Sequence, residues 1–289
     1  MDSRTAAARL VAHLTDIGPV AVAFSGGADS ALVLAAAARA LGPDAVLAVT
    51  ADSASLAAAE LAHAVAFADR LGVRHLTPAT AELDDPSYAA NGRDRCYFCK
   101  STVLDTITAV ARDHGVSTVA TGVNADDAHD PFRPGIRAGD EIGVRTPLRD
   151  LGMTKTDVRA VSRFWDLSTW DKPAMPCLAS RVRYGIAITP ARLARVERAE
   201  LAVREWLAAA GTPTRDLRVR DLGDTGRVEL DPHLADRPEI GTALAEVVRA
   251  AGFDGVELAV FRSGALNHEA ATPRRDPTPA DGAGPHPRR

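Results

Sequence analysis

Val20-Ala21-Val22-Ala23-Phe24-Ser25-Gly26-Gly27-Ala28-Asp29-Ser30 is the stretch on which the fold turns. Its first five residues are apolar and read as a buried strand. The next six are small or hydrogen-bonding, and an alanine-rich helical pattern runs from residue 31 to 41. A strand that feeds a small-residue turn and then a helix outlines a phosphate site. Glycine lets the backbone approach an anion, and the first N–H groups of a helix lack intrahelical partners and point at it. Ser25 and Ser30 add hydroxyl donors. Asp29 would repel a phosphate, so two roles are open to it: capping the helix or holding a magnesium ion. No lysine follows the glycines as in G-x-x-x-x-G-K-[ST], and the spacing is not G-x-G-x-x-G. The generic alternative is a glycine turn that merely joins strand to helix.

Working outward, residues 45–50 read as a second strand and 56–71 as a helix ending at Gly72. Residues 74–78 form a weaker third strand, 100–114 a helix stopping at Gly115, and 117–121 a further strand. Strands separated by helices of this length imply βαβ units and a parallel sheet covered on both faces, with the ligand site at the carboxyl ends of the strands. Both 25–30 and 122–127 fall at such ends. Past about residue 164 the pattern changes. Residues 172–177 are Pro-rich and aperiodic, and 191–210 form a long arginine-rich helix. Then come strands at 217–222 and 228–230, a helix at 238–251 and a strand at 256–261. The expected organisation is an α/β parallel-sheet domain over 1–165, a smaller α+β domain over 166–271, and a disordered tail over 272–289.

Hydrophobic residues make up 46% of the 289 residues, enough for a sizeable core, but aromatics are only 4%. The core must therefore rest on Ala, Val and Leu. A net charge of −4 gives no general attraction to nucleic acid. No apolar run reaches the roughly 18 residues of a membrane span. Met1-Asp2-Ser3-Arg4 lacks a signal-peptide pattern, so a cytoplasmic location is expected. Three cysteines, two of them in a C-x-x-C, favour metal, redox or sulfur chemistry over structural disulfides in that setting.

The string Ser25-Gly26-Gly27-Ala28-Asp29-Ser30 resembles the PP-loop of the ATP pyrophosphatase superfamily. That resemblance implies a loop holding the β- and γ-phosphates of ATP while AMP passes to a substrate oxygen. It also implies that Asp52 or Ser53, after the second strand, meets the base or ribose. The alternative for these two is an N-cap for the helix that follows. Gly122-Val123-Asn124-Ala125-Asp126-Asp127 places two adjacent carboxylates at a strand end. They repel each other unless a cation sits beside them, and Mg²⁺ bridging ATP phosphates is the natural one. A solvated acidic loop is the other reading.

Cys96 and Cys99 open a helix in Arg95-Cys96-Tyr97-Phe98-Cys99-Lys100, where the helix start and flanking cations are expected to lower thiol pKa values. Cys177 lies in Pro176-Cys177-Leu178-Ala179-Ser180-Arg181. Three thiolates are one short of a closed four-ligand site. Zinc with a distant histidine, a redox C-x-x-C with an unrelated third thiol, and plain buried cysteines stay open at this point.

These segments, together with 121–127, Arg133-Pro134-Gly135, Gly143-Val144-Arg145-Thr146-Pro147-Leu148 and Arg262-Ser263-Gly264-Ala265-Leu266-Asn267, resemble the LarE family over roughly residues 19–267. The resemblance implies an ATP-dependent sulfur transferase acting on a pyridinium carboxylate mononucleotide, a precursor of the nickel-pincer cofactor of lactate racemase. Two sulfur sources are known in that family. A single cysteine in the C-L-A-S-R segment sacrifices its own sulfur and becomes dehydroalanine, or three cysteines hold a [4Fe-4S] cluster whose unligated iron carries a sulfide. Cys96, Cys99 and Cys177 match the cluster count, which implies a separate sulfide donor.

Catalytic roles then fall to Cys177, Cys96, Cys99 and Asp29. The nucleotide and its magnesium fall to Ser25, Gly26, Gly27, Asp29, Ser30, Asp52, Ser53, Gly122, Asp126 and Asp127. Arg218 and Arg220 alternate on one strand face and suit a phosphate by forked donation. The family's matching strand carries substrate-phosphate arginines, with Ser180 and Arg181 as their neighbours. A polar sheet face paired with acids such as Glu229 is the plainer reading. Glu197 or Glu200 on the long helix could serve metal or substrate, though ordinary surface charge accounts for most of that run. A homo-oligomer is expected. A tRNA thiolase would need a basic surface and a glutamine-fed amidating enzyme an ammonia source, and neither is visible. A non-catalytic nucleotide module with structural zinc is the reading from another class.

Overall fold

The computed structural model describes residues 2–129 and 134–267, so the tail expected over 272–289 and Arg133 lie outside the described residues. The chain opens with α1 (Ser3–Ile17), whose first turn is fixed by Asp2 accepting from the Thr5 amide at 3.0 Å. Then follow β1 (Val20–Ala23), α2 (Ala28–Leu41), β2 (Val46–Val49), α3 (Ala58–Arg70) and β3 (Arg74–Leu76). A short α4 (Pro86–Ala89) leads into α5 (Arg95–Asp113), β4 (Val119–Ala120), α6 (Pro134–Ile142), α7 (Pro147–Asp150) and α8 (Lys155–Phe164).

The four strands pair in parallel in the order β3-β2-β1-β4. The chain leaves β1 towards β2 on one side and returns with β4 on the other. That reversal opens a crevice at the carboxyl end of β1, where α/β sheets bind ligands. β1 and β2 are apolar along nearly their whole length because helices cover both faces. α2 buries eight apolar residues and Ser30, and with α1 and α8 forms one core. Alanine dominates this core, as the composition requires.

The second part of the chain runs from α9 (Pro190–Ala209) through β5 (Leu217–Asp221), β6 (Thr225–Leu230), α10 (Pro232–Ala235) and α11 (Pro238–Ala250) to β7 (Gly255–Val260). β6 is central, antiparallel to β5 and parallel to β7. Leu217, Val219, Val228 and Leu230 meet α9 and α11 in a separate core that also takes in Tyr88, Leu178 and, at its margin, Cys99. The opposite face of β5 carries Arg218 and Arg220, and both are buried.

One helix boundary moves and two open alternatives close. The helix expected from residue 100 begins at Arg95, so both C-x-x-C thiols lie inside it. Asp52 and Ser53 do not cap α3, whose N-cap is Ala57, a residue with no side-chain acceptor. Asp29 does not cap α2 either, since Gly27 holds that position. Among the described residues, no helix is long and apolar enough to cross a membrane.

Candidate active site

The turn after β1 is built for close approach. Gly26 has φ +71°, and a Cβ there would sit 3.3 Å from the Ala64 Cβ, so α3 presses on the turn. Ser25 and Ser30 hydroxyls lie 3.1 Å apart across the loop, and Ser30 Oγ donates to the Gly27 carbonyl at 3.2 Å. Asp29 reaches the loop after β4. Its Oδ1 accepts from Asn124 Nδ2 at 3.1 Å and its Oδ2 pairs with Lys155 Nζ at 2.5 Å. Gly122 makes this docking possible. A Cβ there would fall 2.5 Å from the Ser30 amide nitrogen and 2.8 Å from the Asp29 carbonyl carbon, both backbone atoms. Ser25, Gly26, Gly27, Asp29, Ser30 and Gly122 therefore converge.

Asp126 and Asp127 are held by the turn rather than left to repel. Asn124 Oδ1 accepts both of their amides, Asp127 Oδ2 accepts the Asn124 amide at 3.1 Å, and Asp126 Oδ2 accepts the Lys155 amide at 2.8 Å. Those bonds link the acidic turn to the start of α8. Lys155 carries no recognisable motif, and Asn124 lies inside the 122–127 stretch without a role of its own there; their place across the crevice reveals what both do.

Beyond β2, Asp52 bridges to Ala79 and is exposed. The Ser53 hydroxyl donates to Glu82 and lies 2.9 Å from that of Ser55. Glu82 is 1% exposed, and its second oxygen has no partner among the described residues. Beside it stands Tyr88, 1% exposed, its hydroxyl likewise unpartnered. Burial, then the nearby Cys177, holds that phenol protonated well above the usual tyrosine range.

The three cysteines are thiols, with Cys96 and Cys177 exposed and Cys99 half-buried. Burial, followed by the fields of Cys177, Glu82 and Cys96, pushes the Cys99 thiol far up. Cys99 therefore lies within the electrostatic reach of both other thiols. The expected lowering of thiol pKa is thus overturned at Cys99. It sits one turn inside α5, so desolvation outweighs the helix start and Lys100. Lys100 is itself pushed down by burial, partly offset by Cys99. Among the described residues, no three His, Cys, Asp or Glu side chains stand together at single-ion spacing.

Asn91, at φ +56° and fully buried, staples the C-x-x-C helix to the Cys177 stretch. Its Nδ2 donates to the carbonyls of Val182, Arg183 and Ile186, and Arg95 donates to its Oδ1. Arg95 stacks its guanidinium 4.3 Å from the Tyr184 ring centroid. Neither contact has a sequence signature.

The arginines form one buried group. Arg181 is 1% exposed, pairs with Glu200 at 2.9 and 3.2 Å, and donates to the carbonyls of Pro176 and Cys177 and to Ser180 Oγ. Arg220 chelates Glu229 at 2.8 and 3.0 Å and reaches the Ser180 carbonyl at 3.2 Å. Arg218 differs from both. Its guanidinium donates at 2.6 Å to the carbonyls of Leu217 and Ala174 and stands 5.4 Å from the Phe261 ring centroid, with no carboxylate in ion-pair distance among the described residues. Burial first, then Arg181, lowers its pKa to about 10. Glu200 is no surface charge: it is buried and also accepts from the Val219 amide at the edge of β5. Glu197 instead accepts the Ala58 amide at 2.7 Å, joining α9 to the start of α3.

Residues 9–93 match the NAD synthase family model, which covers the nucleotide loop and the first three strands. The chain is 41% identical over 251 residues to an uncharacterized protein of Synechocystis, covering 85% of this chain and 91% of the relative. It is 35% identical over 266 residues to the pyridinium-3,5-bisthiocarboxylic acid mononucleotide synthase of Lactiplantibacillus plantarum, covering 91% and 94%. With a PP-loop at the switch point of the sheet and likeness along nearly the whole length of that synthase, the chain belongs to the LarE family.

Proposed function

We propose that this protein inserts sulfur into a pyridinium-3,5-dicarboxylate mononucleotide through an acyl-adenylate, for a nickel-pincer cofactor. The observation that supports the reading is the place of Cys177 on a stretch bonded to both the nucleotide turn and the arginines, through Lys172 to the Gly26 carbonyl, Arg218 to the Ala174 carbonyl and Arg181 to the Cys177 carbonyl. A carboxylate resists nucleophiles because it is anionic and its oxide leaves poorly. Attack of a carboxylate oxygen on the α-phosphate of ATP forms a new P–O bond and expels pyrophosphate. The Gly26–Gly27 turn, the Ser25 and Ser30 hydroxyls and Lys155 offer donors to the departing anion, and Asp29, Asp126 and Asp127 are the carboxylates available to its magnesium. Sulfur then attacks the acyl carbon and AMP leaves.

Arg218 is the group for the substrate's own phosphate. A buried guanidinium held by carbonyls and an aromatic face, with no carboxylate in ion-pair distance among the described residues, gains a charged partner when the phosphate arrives. Arg181 and Arg220, neutralised by Glu200 and Glu229, fix the Ser180 stretch on either side.

The donor set of Cys96, Cys99 and Cys177 supplies the three thiolates that a [4Fe-4S] cluster with one open iron takes, and Cys99 lies within the electrostatic reach of both other thiols. When bound, the cluster supplies the sulfide nucleophile. Exposure of Cys177 favours one alternative, in which its Sγ attacks the acyl carbon, AMP departs, and Cα–H elimination breaks the Cβ–S bond to leave dehydroalanine. Anaerobic reconstitution with iron and sulfide separates the two. The cluster reading expects iron, acid-labile sulfide and repeated turnover, all lost together in Cys96→Ala. One turnover with loss of one sulfur's mass from the chain supports the sacrificial route.

A further inference from the structure

Residues 172–177 have no regular structure, yet they are fastened at both ends and along the middle. Lys172 Nζ donates to the Gly26 carbonyl at 3.0 Å and pairs with Glu60 Oε2 at 2.8 Å, each side chain 13% exposed. The Ala174 carbonyl accepts from Arg218 at 2.6 Å. The Pro176 and Cys177 carbonyls accept from Arg181, and the Leu178 amide donates to the Ser55 carbonyl at 2.8 Å. Pro173 and Pro176 fix two φ angles in between. One strap therefore touches the nucleotide turn at one end and the arginine group in its middle, and it carries Cys177 at the other end.

The Lys172 contact is aimed at the part of the turn best placed to respond to phosphate. Gly26 is the positive-φ residue, and the Glu60 carbonyl lies 3.6 Å from where its Cβ would be. Lys172 thus holds the carbonyl of the turn and the side chain of the α3 residue packed against it. Movement of the turn on binding an anion changes both of its partners at once.

We propose that Lys172 is a positioning residue that registers the Cys177 strap to the nucleotide turn, so that occupation of the ATP site sets where the Cys177 sulfur lies. This deepens the sulfur-transfer reading and rests on it for the identity of the product. The inference concerns coupling between two steps, and its test reads that coupling.

The full chain, purified without added iron, is compared with Lys172→Met, Lys172→Arg and the double variant Lys172→Met/Glu60→Gln. The double variant leaves no half-buried carboxylate unpaired and so guards against simple misfolding. Alkylation of Cys177 by iodoacetamide is followed by mass spectrometry with and without MgATP. MgATP is expected to change the rate in the native chain and in Lys172→Arg, and to leave it unchanged in both Met variants. In the reconstituted enzyme, sulfur transferred per AMP released should fall in the Met variants by roughly ten- to a hundredfold, the scale of a small misplacement of reacting groups. AMP release should fall less than sulfur transfer. Equal MgATP responses in native and double-variant chains, no response in the native chain, or an unchanged sulfur-to-AMP ratio would overturn the proposal. A native chain whose Cys177 responds to MgATP but whose product gains no sulfur supports the coupling and contradicts the sulfur-transfer reading.

Discussion

The proposed phosphate cradle takes up six consecutive positions, Ser25 to Ser30, whereas the thiol and arginine region draws Cys96 and Cys99 from α5, Cys177 and Arg181 from the strap and its short helical end, and Arg218 from β5. The cradle is made of backbone and hydroxyls and holds its shape by local bonds. The other region buries charge and must be fastened by distant groups such as Asn91, Glu200 and Glu229. Local sequence can specify the first kind of site by itself. The second depends on tertiary structure, and substitutions there should separate stability from function more sharply.

The largest effect should follow removal of a charge from a closed pair. Arg220→Leu strands Glu229 at 2% exposure, and chemical denaturation should show a loss of about 3–5 kcal/mol. Gly122→Ala comes next, because its Cβ meets backbone with little freedom to shift. A cost of about 1–3 kcal/mol is expected. Pyrophosphate release should fall with it by about a hundredfold, since the turn no longer seats against Asp29. A fully active Gly122→Ala would break the idea that the two loops act as one site.

Arg218→Met should do the opposite of Arg220→Leu. Burial brings the Arg218 pKa down from 12.5 to about 10, so its charge costs stability at every pH below about 10 and the cost is relieved above. The variant should keep or raise the melting temperature at pH 7 while the KM for the mononucleotide rises and that for ATP stays put. A drop in stability like that of Arg220→Leu would erase the distinction between the two arginines.

The smallest effect concerns Cys99. With its folded pKa raised, it adds stability that is present below the ordinary thiol value of 9.0 and is lost as pH rises beyond it. Alkylation of the cluster-free chain at pH 8–9 should therefore reach exposed Cys177 well before Cys99, and Cys99→Ala should flatten the alkaline part of the stability profile. Equal labelling of the two would remove the burial argument.

The parallel sheet, its glycine turn and the acidic loop were legible because each is a short-range pattern: an apolar strand, a small-residue turn, a helix. The pairing of Arg218 and Arg220 on one face also followed from the two-residue period of a strand. What lay beyond reach was partnership. Nothing in the chain order announces that Lys155 meets Asp29 across 126 positions, that Lys172 meets Gly26 across 146, or that Glu229 neutralises Arg220 but leaves Arg218 alone. The thiol environment was misjudged for the same reason. The helix start and the flanking cations are visible in sequence, while the burial that outweighs them at Cys99 is not.

The most direct trial is to incubate the anaerobically reconstituted protein with MgATP and the pyridinium dicarboxylate mononucleotide and to count AMP against product mass. The account expects one AMP for each oxygen exchanged for sulfur, and no exchange by Cys177→Ala. AMP released without any gain of sulfur, or full exchange by Cys177→Ala, would contradict it.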